Sequence, residues 1–593
     1  MRPRASGGEA QPPTSGAGAL AGETLLTLAA GLAAAIPVIA ATVRAIAAGW
    51  VPVADRGIIA TRAHDVFTSH MPLVGQYTLA GEVTGAVTHS LGPMLFWLLA
   101  IPAYYGSTVG MTLVMGALNT LSIVSCVALA RRRGGRALML LSALALALMC
   151  QSLAAETFHD VWNPSAGLFP FTLLIFLCWS VGCGSYRLLP ATVLVASFVV
   201  QAHLTYLPPT LGLLAVGLGG LAAGALVRRR RERADEGAAD ADTRPPARRR
   251  VLAWGLATAL VAAACWSATI VGQLTEHPGN LTLVARSATK PKATLGATVG
   301  WHAVVRAVGV PPWWLRTPKS RWQRKYEARA TPSALASDSC VAMLAALALV
   351  CALALLHGRR ELAVLALSAL VLCPALAAVA ASTPTPRVLA ATLGYTLWWG
   401  SQAGMAVWLA LTWALWLALA PAARGLRGAV ARRATQTTSP SRSLGSIASV
   451  ALSLLAVGAT AAVGASIAGR DEPDEHAVTY RAVRAIDAGL AARVAPRGSV
   501  LLEGTLDGAT MPVKPAVRYF LVARGTRVLA PGSFLRLGTW YELYHRPYRE
   551  AIYLSDVPRA PVKHVPLAFA VSFREGAATR NAVYVWISRK PGR

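Results

Sequence analysis

The chain has 593 residues, of which 55% are hydrophobic and only 14% are charged, and its mean hydropathy is +0.49. Such a composition, with several apolar runs of about 20 residues, excludes a soluble globular enzyme and indicates a polytopic membrane protein. The formal net charge of +29 does not predict a nucleic-acid partner, because no aromatic-interleaved basic face accompanies the arginine clusters.

The arginine clusters predict the topology, since basic residues at the ends of apolar runs mark cytoplasmic loops. With them placed inside, the chain is a polytopic α-helical membrane protein with about 11 transmembrane helices. Residues 1–22 form a disordered cytoplasmic tail, and 23–469 form the membrane domain of a multi-pass protein of the plasma (cytoplasmic) membrane. The predicted spans are 25–48, 108–130, 137–155, 166–183, 188–206, 209–227, 251–271, 339–356, 361–381, 402–420 and 445–468.

The segments between the spans are assigned either to the outer side or to the cytoplasmic side of the membrane. The first outer loop, 49–107, ends in an apolar segment, 91–106, that is too short to span and is predicted to lie in the membrane interface. Residues 228–250 are a solvated cytoplasmic linker, and 272–337 form a long outer loop. Alternating apolar residues after 470 predict strands, so 470–593 is expected to be a small extracytoplasmic α/β domain.

The first outer loop contains an unusual density of titratable residues between two apolar segments. Under the predicted topology, three loops bring their polar groups to the same outer face. Ionisable groups at the ends of spans are often only solvated, but the convergence of three loops favours a functional site. The candidate residues are Asp55, Arg62, Asp65, His89, His159, Asp160, Gln201, His203 and Arg286.

Four stretches carry a family resemblance: MPLVGQY, HSLGPMLFWLLAIP, HDVWNPS and QAHLTYLPP. With the order of one span, a large outer loop that opens with an acid, many further spans and an outer C-terminal domain, they resemble GT-C fold glycosyltransferases. They look most like actinobacterial, arabinofuranosyltransferase-like members. The resemblance implies a membrane enzyme that uses a polyprenyl-phosphate-linked sugar.

The resemblance also implies roles for individual residues. Asp55 matches the acid that opens the first outer loop and serves as general base, and Asp160 falls near a second outer-loop acid. Relatives have His-Pro-Gly-Pro where this chain has an extra residue between His89 and Gly92, so the direction of the His89 side chain is left open.

Transfer from a lipid phosphate also needs groups that hold the leaving phosphate. Candidates are Arg62, His89, His203 and the basic stretch that begins at Arg286. The remaining outer-face residues, Asp65, His159, Asp160 and Gln201, are candidates for substrate binding.

No cofactor is required by the sequence, although a divalent cation is compatible with it. Asp55, Asp65 and Asp160 could share such an ion, but no compact spacing of ligands demands one.

The leading hypothesis is an inverting transfer of one sugar to an outer-face acceptor, either a cell-envelope glycan or a lipid. The alternatives are a non-catalytic lipid or glycan binder, or a transporter of lipid-linked precursors. A transporter would be expected to show broken helices and two related halves, whereas the spans are plain Ala, Leu and Val sequence without an internal repeat. A ligase that moves whole glycans stays open.

Overall fold

The computed structural model describes residues 15–82, 84–235, 245–320, 322–434, 442–470, 472–531, 539–542, 547–575 and 579–589. The first half of the helical bundle comprises α1 Ser15–Ala47, α2 Asp55–His64, α3 Met94–Tyr104, α4 Thr108–Cys150, α5 Asn163–Ala166, α6 Leu168–Gly182, α7 Leu189–Ala202, α8 Leu207–Asp235 and α9 Pro245–Thr275. The second half comprises α10 Asn280–Thr289, α11 Gly296–Val308, α12 Gln323–Arg329, α13 Ala334–Leu356, α14 Arg360–Ala381, α15 Arg387–Ala391, α16 Leu393–Thr396, α17 Gly400–Ala434 and α18 Arg442–Ala468. A two-stranded hairpin, β1 Tyr77–Thr78 and β2 Thr88–His89, lies in the first loop.

Nine helical segments of the described chain are long and apolar enough to cross a membrane, which confirms the polytopic helical class. Two segments account for the difference from the predicted number. Helix α4 is non-helical at Gly134 and Gly135, so it contains two of the predicted spans in one kinked element. The apolar helical segment Tyr186–Ala202 is shorter than a full span. Met94–Tyr104 is also a short apolar helix, as the sequence indicates for 91–106.

Two segment boundaries differ from the sequence analysis because helical structure continues beyond the apolar residues. Helix α1 begins at Ser15, inside the segment assigned to a disordered tail, and residues 1–14 lie outside the described residues. The linker 228–250 is helical up to Asp235 and again from Pro245, and its middle also lies outside them. Arg-rich and Ala-rich sequence has a high helix propensity, which explains the helical end of α8 in the linker.

The long loop 272–337 contains more regular structure than a solvated loop. Its helix α11 packs against α14 and α17, with Ala303, Val304 and Ala307 buried. Gly300 permits this close approach, since a Cβ there would lie 2.6 Å from the carbonyl oxygen of Ala377. The segment is therefore part of the packed bundle.

The C-terminal region is an α/β domain, as the sequence predicts. It contains α19 Ala477–Ala491 and α20 Val513–Ala523 with strands β3 Ser499–Glu503, β4 Arg527–Leu529, β5 Glu550–Ser555, β6 Leu567–Glu575 and β7 Thr579–Ser588. The sheet order is β4-β3-β5-β7-β6. The pairs β3–β4 and β3–β5 are parallel, whereas β5–β7 and β7–β6 are antiparallel.

Helix α20 attaches this domain to the first loop of the membrane bundle. It packs against α2 at Gly57, where a Cβ would lie 2.6 Å from the carbonyl carbon of Pro515. Tyr519, which is fully buried, donates a hydrogen bond from its hydroxyl group to the carbonyl oxygen of Ala103 at 3.1 Å. The domain thus rests directly on the short helices α2 and α3.

Candidate active site

Asp55 begins helix α2 at a point where the backbone is strained. The preceding residue, Ala54, has φ 51° and ψ −134°, a conformation that a residue with a Cβ rarely adopts without a compensating contact. The amide N–H of Ala54 donates to the carbonyl oxygen of Pro512 at 2.9 Å, so the C-terminal domain holds this turn. The Asp55 carboxylate is thereby placed at a helix N-terminus, where the helix dipole favours a negative charge.

The Asp55 carboxylate is enclosed but still reachable. Its Oδ2 atom accepts a hydrogen bond from the indole N–H of Trp162 at 3.1 Å, and the residue retains partial exposure. Burial raises the pKa of Asp55, and the charge of Arg56 and the Trp162 bond offset this only in part. A carboxyl group with a raised pKa can accept a proton near neutral pH, which is the property of a general base.

The guanidinium of Arg56 is bound by two buried carboxylates. Its Nε and Nη2 atoms donate to the two oxygens of Asp160, each at 2.8 Å, and Nη2 also donates to Glu156 Oε1 at 2.5 Å. These carboxylates raise the pKa of Arg56 well above its usual value against the effect of burial. Since Arg56 is 3% exposed, it is a structural cation rather than a phosphate ligand. We name Asp55, Arg56, Glu156, Asp160 and Trp162 the Asp55 cluster.

The HDVWNPS stretch folds tightly around Asp160. Besides the Arg56 pair, Asp160 accepts hydrogen bonds from the amide N–H of Trp162 at 3.0 Å and the hydroxyl of Ser165 at 3.3 Å. The side chain of Asn163 donates to the carbonyl oxygen of Ala202 at 3.1 Å. These bonds fix the Trp162 indole where it can reach Asp55.

The segment that joins α18 to α19 enters the same cluster. The amide N–H of Glu475 donates to Glu156 Oε2 at 3.0 Å. Asp474 accepts a hydrogen bond from the Tyr480 hydroxyl at 2.8 Å and lies 3.2 Å from His159 Nε2. The charge of His476 is also close enough to lower the pKa of Asp55.

An aromatic rim adjoins the Asp55 cluster. The Trp162 ring lies 5.0 Å from Tyr395, 5.8 Å from Trp398 and 6.4 Å from Trp322, measured between ring centroids. His203 lies 5.7 Å from Tyr395, and burial lowers the pKa of His203 to about 4. Its imidazole is therefore neutral at neutral pH and acts as a hydrogen-bonding group rather than a cation.

The α12 segment adds two cations with different roles. Arg324 is buried and donates to the carbonyl oxygens of Leu397 and Trp398 at 2.7 and 2.5 Å, so it ties the long loop to the chain before α17. Burial lowers the pKa of Arg324 to about 9. Lys325 lies 5.8 Å from the Trp322 ring centroid and forms no ion pair with any described residue, which makes it the rim's available cation.

The predicted residues Asp65 and Arg62 form a separate cluster at the other end of α2. Asp65 is 0% exposed and accepts a hydrogen bond from the Tyr541 hydroxyl at 2.6 Å. It also pairs with Arg62 at 3.2 Å and His70 at 3.1 Å. Burial raises the pKa of Asp65. The interactions with His64 and His70, and then with Arg62 and Tyr541, lower that pKa by more, so it lies below its usual value.

His89 and Gln201 are tied into the packing around the first loop. The backbone N–H of His89 donates to the Asn280 side chain at 2.9 Å, which donates back to the His89 carbonyl oxygen at 3.1 Å. Gln201 is 1% exposed and donates to the carbonyl oxygen of Cys265 at 2.8 Å. Arg286 is exposed on α10. The partners named here, Asn280 and Cys265, are not members of the Asp55 cluster.

The three aspartates proposed to share a cation do not converge. Asp65 lies one helix length from Asp55, about 15 Å at 1.5 Å per residue, and Asp160 is bound through both oxygens by Arg56. In the described part of the chain, no group of three or more His, Cys, Asp or Glu side chains is arranged to hold a metal ion. These donors therefore do not fit a shared divalent cation.

Several residues of the site were not among the candidates taken from the sequence. Asp474, Glu475 and His476 stand in a short segment without a motif, and Tyr395 stands in an apolar run. The clue that was available is a cluster of four acids and a histidine (DEPDEH, 471–476) directly after the last span, where a merely solvated linker has no need of them.

No family model matches this chain, and no curated protein sequence matches it. Among solved structures, the chain is similar to the crystal structure of ArnT from Cupriavidus metallidurans bound to undecaprenyl phosphate, with 13% sequence identity and a TM-score of 0.44. The alignment covers 95% of this chain and 98% of that chain. A likeness at this level does not assign residues or a substrate.

Proposed function

We propose that this protein is a membrane glycosyltransferase that moves one sugar from a polyprenyl-phosphate donor to an acceptor hydroxyl on the extracytoplasmic face, with Asp55 as general base. The observation that carries the proposal is the Asp55 carboxylate itself. It has a raised pKa, one oxygen oriented by Trp162, and partial exposure beside an aromatic rim. Aromatic faces are a suitable surface for sugar rings.

The reaction follows from this arrangement. The acceptor oxygen attacks the anomeric carbon from the face opposite the phosphate, and its proton passes to the Asp55 carboxylate. The bond from the anomeric carbon to the phosphate oxygen breaks, and polyprenyl phosphate leaves with that electron pair. Attack from the opposite face inverts the anomeric centre.

The charge that develops on the leaving phosphate needs a cation. Arg56 is committed to Asp160 and Glu156, and Arg62 is paired with Asp65. We therefore assign the phosphate to Lys325 on the rim, with the neutral imidazole of His203 as a further hydrogen-bonding group. The sequence-based candidates were Arg62, His89, His203 and the basic stretch that begins at Arg286, and of these the proposal keeps only His203.

A cavity of about 540 Å³ supports a lipid-linked donor. Its walls are mostly apolar, and its lining includes Leu79, Lys292, Pro386, Val388 and Leu389. The chain continues from Leu389 through α15 and α16 to Tyr395 on the rim. A polyprenyl chain seated at this cavity would have its phosphate directed along that segment toward the Asp55 cluster.

The test is to incubate the purified protein with a panel of polyprenyl-phosphate sugars and monitor the loss of each donor. We expect one donor to be consumed, and Asp55→Asn to abolish consumption while the protein still inserts and purifies normally. Asp338→Asn, which removes an exposed carboxylate at the start of α13, is the matched control and should retain activity.

Two outcomes would contradict the proposal. Full activity of Asp55→Asn would exclude Asp55 as the base. Binding of lipid-linked sugars without release of polyprenyl phosphate from any donor would favour the non-catalytic binder or transporter instead.

A further inference from the structure

A basic groove lies on the C-terminal domain, well away from the Asp55 cluster. Its cavity measures about 690 Å³, within the usual size range of small-molecule sites. Among the described residues, the lining includes no acidic side chain and four basic ones: Arg493, Lys563, His564 and Arg589. We name these residues, with the apolar floor of Val565, Leu567 and Ile587, the basic groove.

The local backbone indicates a shaped site rather than a random group of surface charges. The floor lies at the start of the edge strand β6, where a register shift between Leu567 and Phe569 leaves Ala568 outside the regular pairing with β7. Such bulges redirect side chains at sheet edges. His564 adopts φ 67°, a left-handed conformation that is strained for a residue with a Cβ.

The basic side chains of the groove retain charge for a ligand. Arg493 is held 5.0 Å from the Phe569 ring centroid and donates to the carbonyl oxygen of Gly489 at 3.0 Å. The nearest acidic contact of Arg589 is Glu550, at the long distance of 3.9 Å. Lys563 is exposed and forms no ion pair within the described chain.

Helix α19 connects the surroundings of the Asp55 cluster to the groove. Ala477, at the start of α19, lines a cavity with the last turns of α1, and Arg484 donates to the carbonyl oxygen of Gly49 beyond α1. The helix therefore begins beside the end of α1, and it also packs against β6 and α20 of the C-terminal domain. Arg493 follows Arg484 by nine residues, about 13 Å at 1.5 Å per residue. Arg493 therefore lies more than two helical turns from the Gly49 contact.

We propose that the basic groove binds a carboxylate or phosphate group carried by a soluble or polymeric glycan, and that this glycan is the acceptor of the transfer reaction. The second part of this inference, that the glycan is the acceptor, rests on the proposed function. His476, beside Asp55, and Arg493 are separated by 17 positions along α19 and its end, about 25 Å. An acceptor that reaches both places is a chain of several sugar units, so a single sugar or a lipid headgroup does not fit.

The experiment measures binding directly, without transfer. Full-length protein in detergent is titrated with fluorescent tetragalacturonate and with oligo(glycerol phosphate), with maltotetraose as the neutral comparison. We expect saturable binding of at least one anionic oligomer and none of maltotetraose. The double variant Lys563→Ala/Arg589→Ala should weaken the binding about tenfold or more, since charge-assisted hydrogen bonds are lost.

The matched control is Arg574→Ala/Arg580→Ala. It removes the same charge from exposed positions at the far end of the β6–β7 hairpin, and it should leave the affinity unchanged. Because all four residues are exposed, circular dichroism of each variant should match that of the parent protein.

Three results would overturn the groove as an anionic-glycan site: no binding of either anionic oligomer, equal loss in both double variants, or preferential binding of anionic phospholipid vesicles. Failure of the proposed function is distinguishable. If the groove binds an anionic oligomer but no donor sugar is ever consumed, the transferase proposal falls and the glycan site remains. If a donor is consumed but no oligomer binds, the glycan-site proposal falls and the transferase proposal remains.

Discussion

Substitution Arg56→Met removes the cation that bridges the two buried carboxylates of the Asp55 cluster. Asp160 is 0% exposed and Glu156 is 4% exposed, so both carboxylates would lose an ion pair while still buried. Removal of one partner from a buried ion pair destabilises a protein by ~3–5 kcal/mol. The same change removes a positive charge that lowers the pKa of Asp55, so that pKa should rise further.

Two measurements follow from that perturbation. Unfolding in mixed micelles should show the loss of stability, and the acid limb of the profile of kcat/KM against pH should move to higher pH. The acid limb moves to higher pH because a general base works only when it is ionised, and a higher pKa means that ionisation requires a higher pH.

The triple variant Arg56→Met/Glu156→Gln/Asp160→Asn is the control, since it removes all three charges together. It should recover much of the lost stability, because replacing a whole buried ionic group is far less damaging than breaking it. A small stability loss in Arg56→Met with an unmoved acid limb would refute the assignment of Arg56 as the organising cation.

Two further substitutions test the contacts around α2. Trp162→Phe removes the indole N–H that stabilises the ionised form of Asp55, so the acid limb should move to higher pH with little change in folding; an unchanged pH profile would show that this hydrogen bond does not act on the base. Gly57→Ala places a Cβ 2.6 Å from the carbonyl carbon of Pro515, so α2 and α20 must separate, and limited proteolysis should release the C-terminal domain more readily than in the parent protein. Equal proteolysis rates would mean that this contact does not hold the domain.

The arrangement of spans was predictable because it depends on local composition. Apolar length and arginine placement are properties of each segment alone, and they located most candidate spans of the described chain within a few residues. The exception is Arg387–Ala420, which begins well before the predicted span 402–420. The kink of α4 at Gly134 and Gly135 was not foreseen, because a kinked helix and two helices with a basic turn have the same composition. The strands β3, β5, β6 and β7 followed from alternation, whereas three-residue β4 is too short for a periodic signal.

The candidate site was predictable only in part, because its contacts join distant parts of the chain. The sequence brought Asp55 and Asp160 to one loop-bearing face, and the structure places both in the Asp55 cluster. The sequence could not reveal that Arg56 pairs with Asp160, because the two residues are 104 positions apart. Nothing in the pattern around Asp65 indicated Tyr541 as its partner either, at a separation of 476 residues.

These long-range contacts give the C-terminal domain a part in the site itself. The strained turn before Asp55 is held by the carbonyl oxygen of Pro512, and Glu156 receives the amide N–H of Glu475. Without those bonds, the Ala54 conformation would lack support and Glu156 would lose a charge-assisted partner at its second oxygen. A membrane bundle truncated before residue 470 would therefore keep its spans but lose the geometry of the Asp55 cluster, so the site forms only when the last part of the chain returns to the first loop.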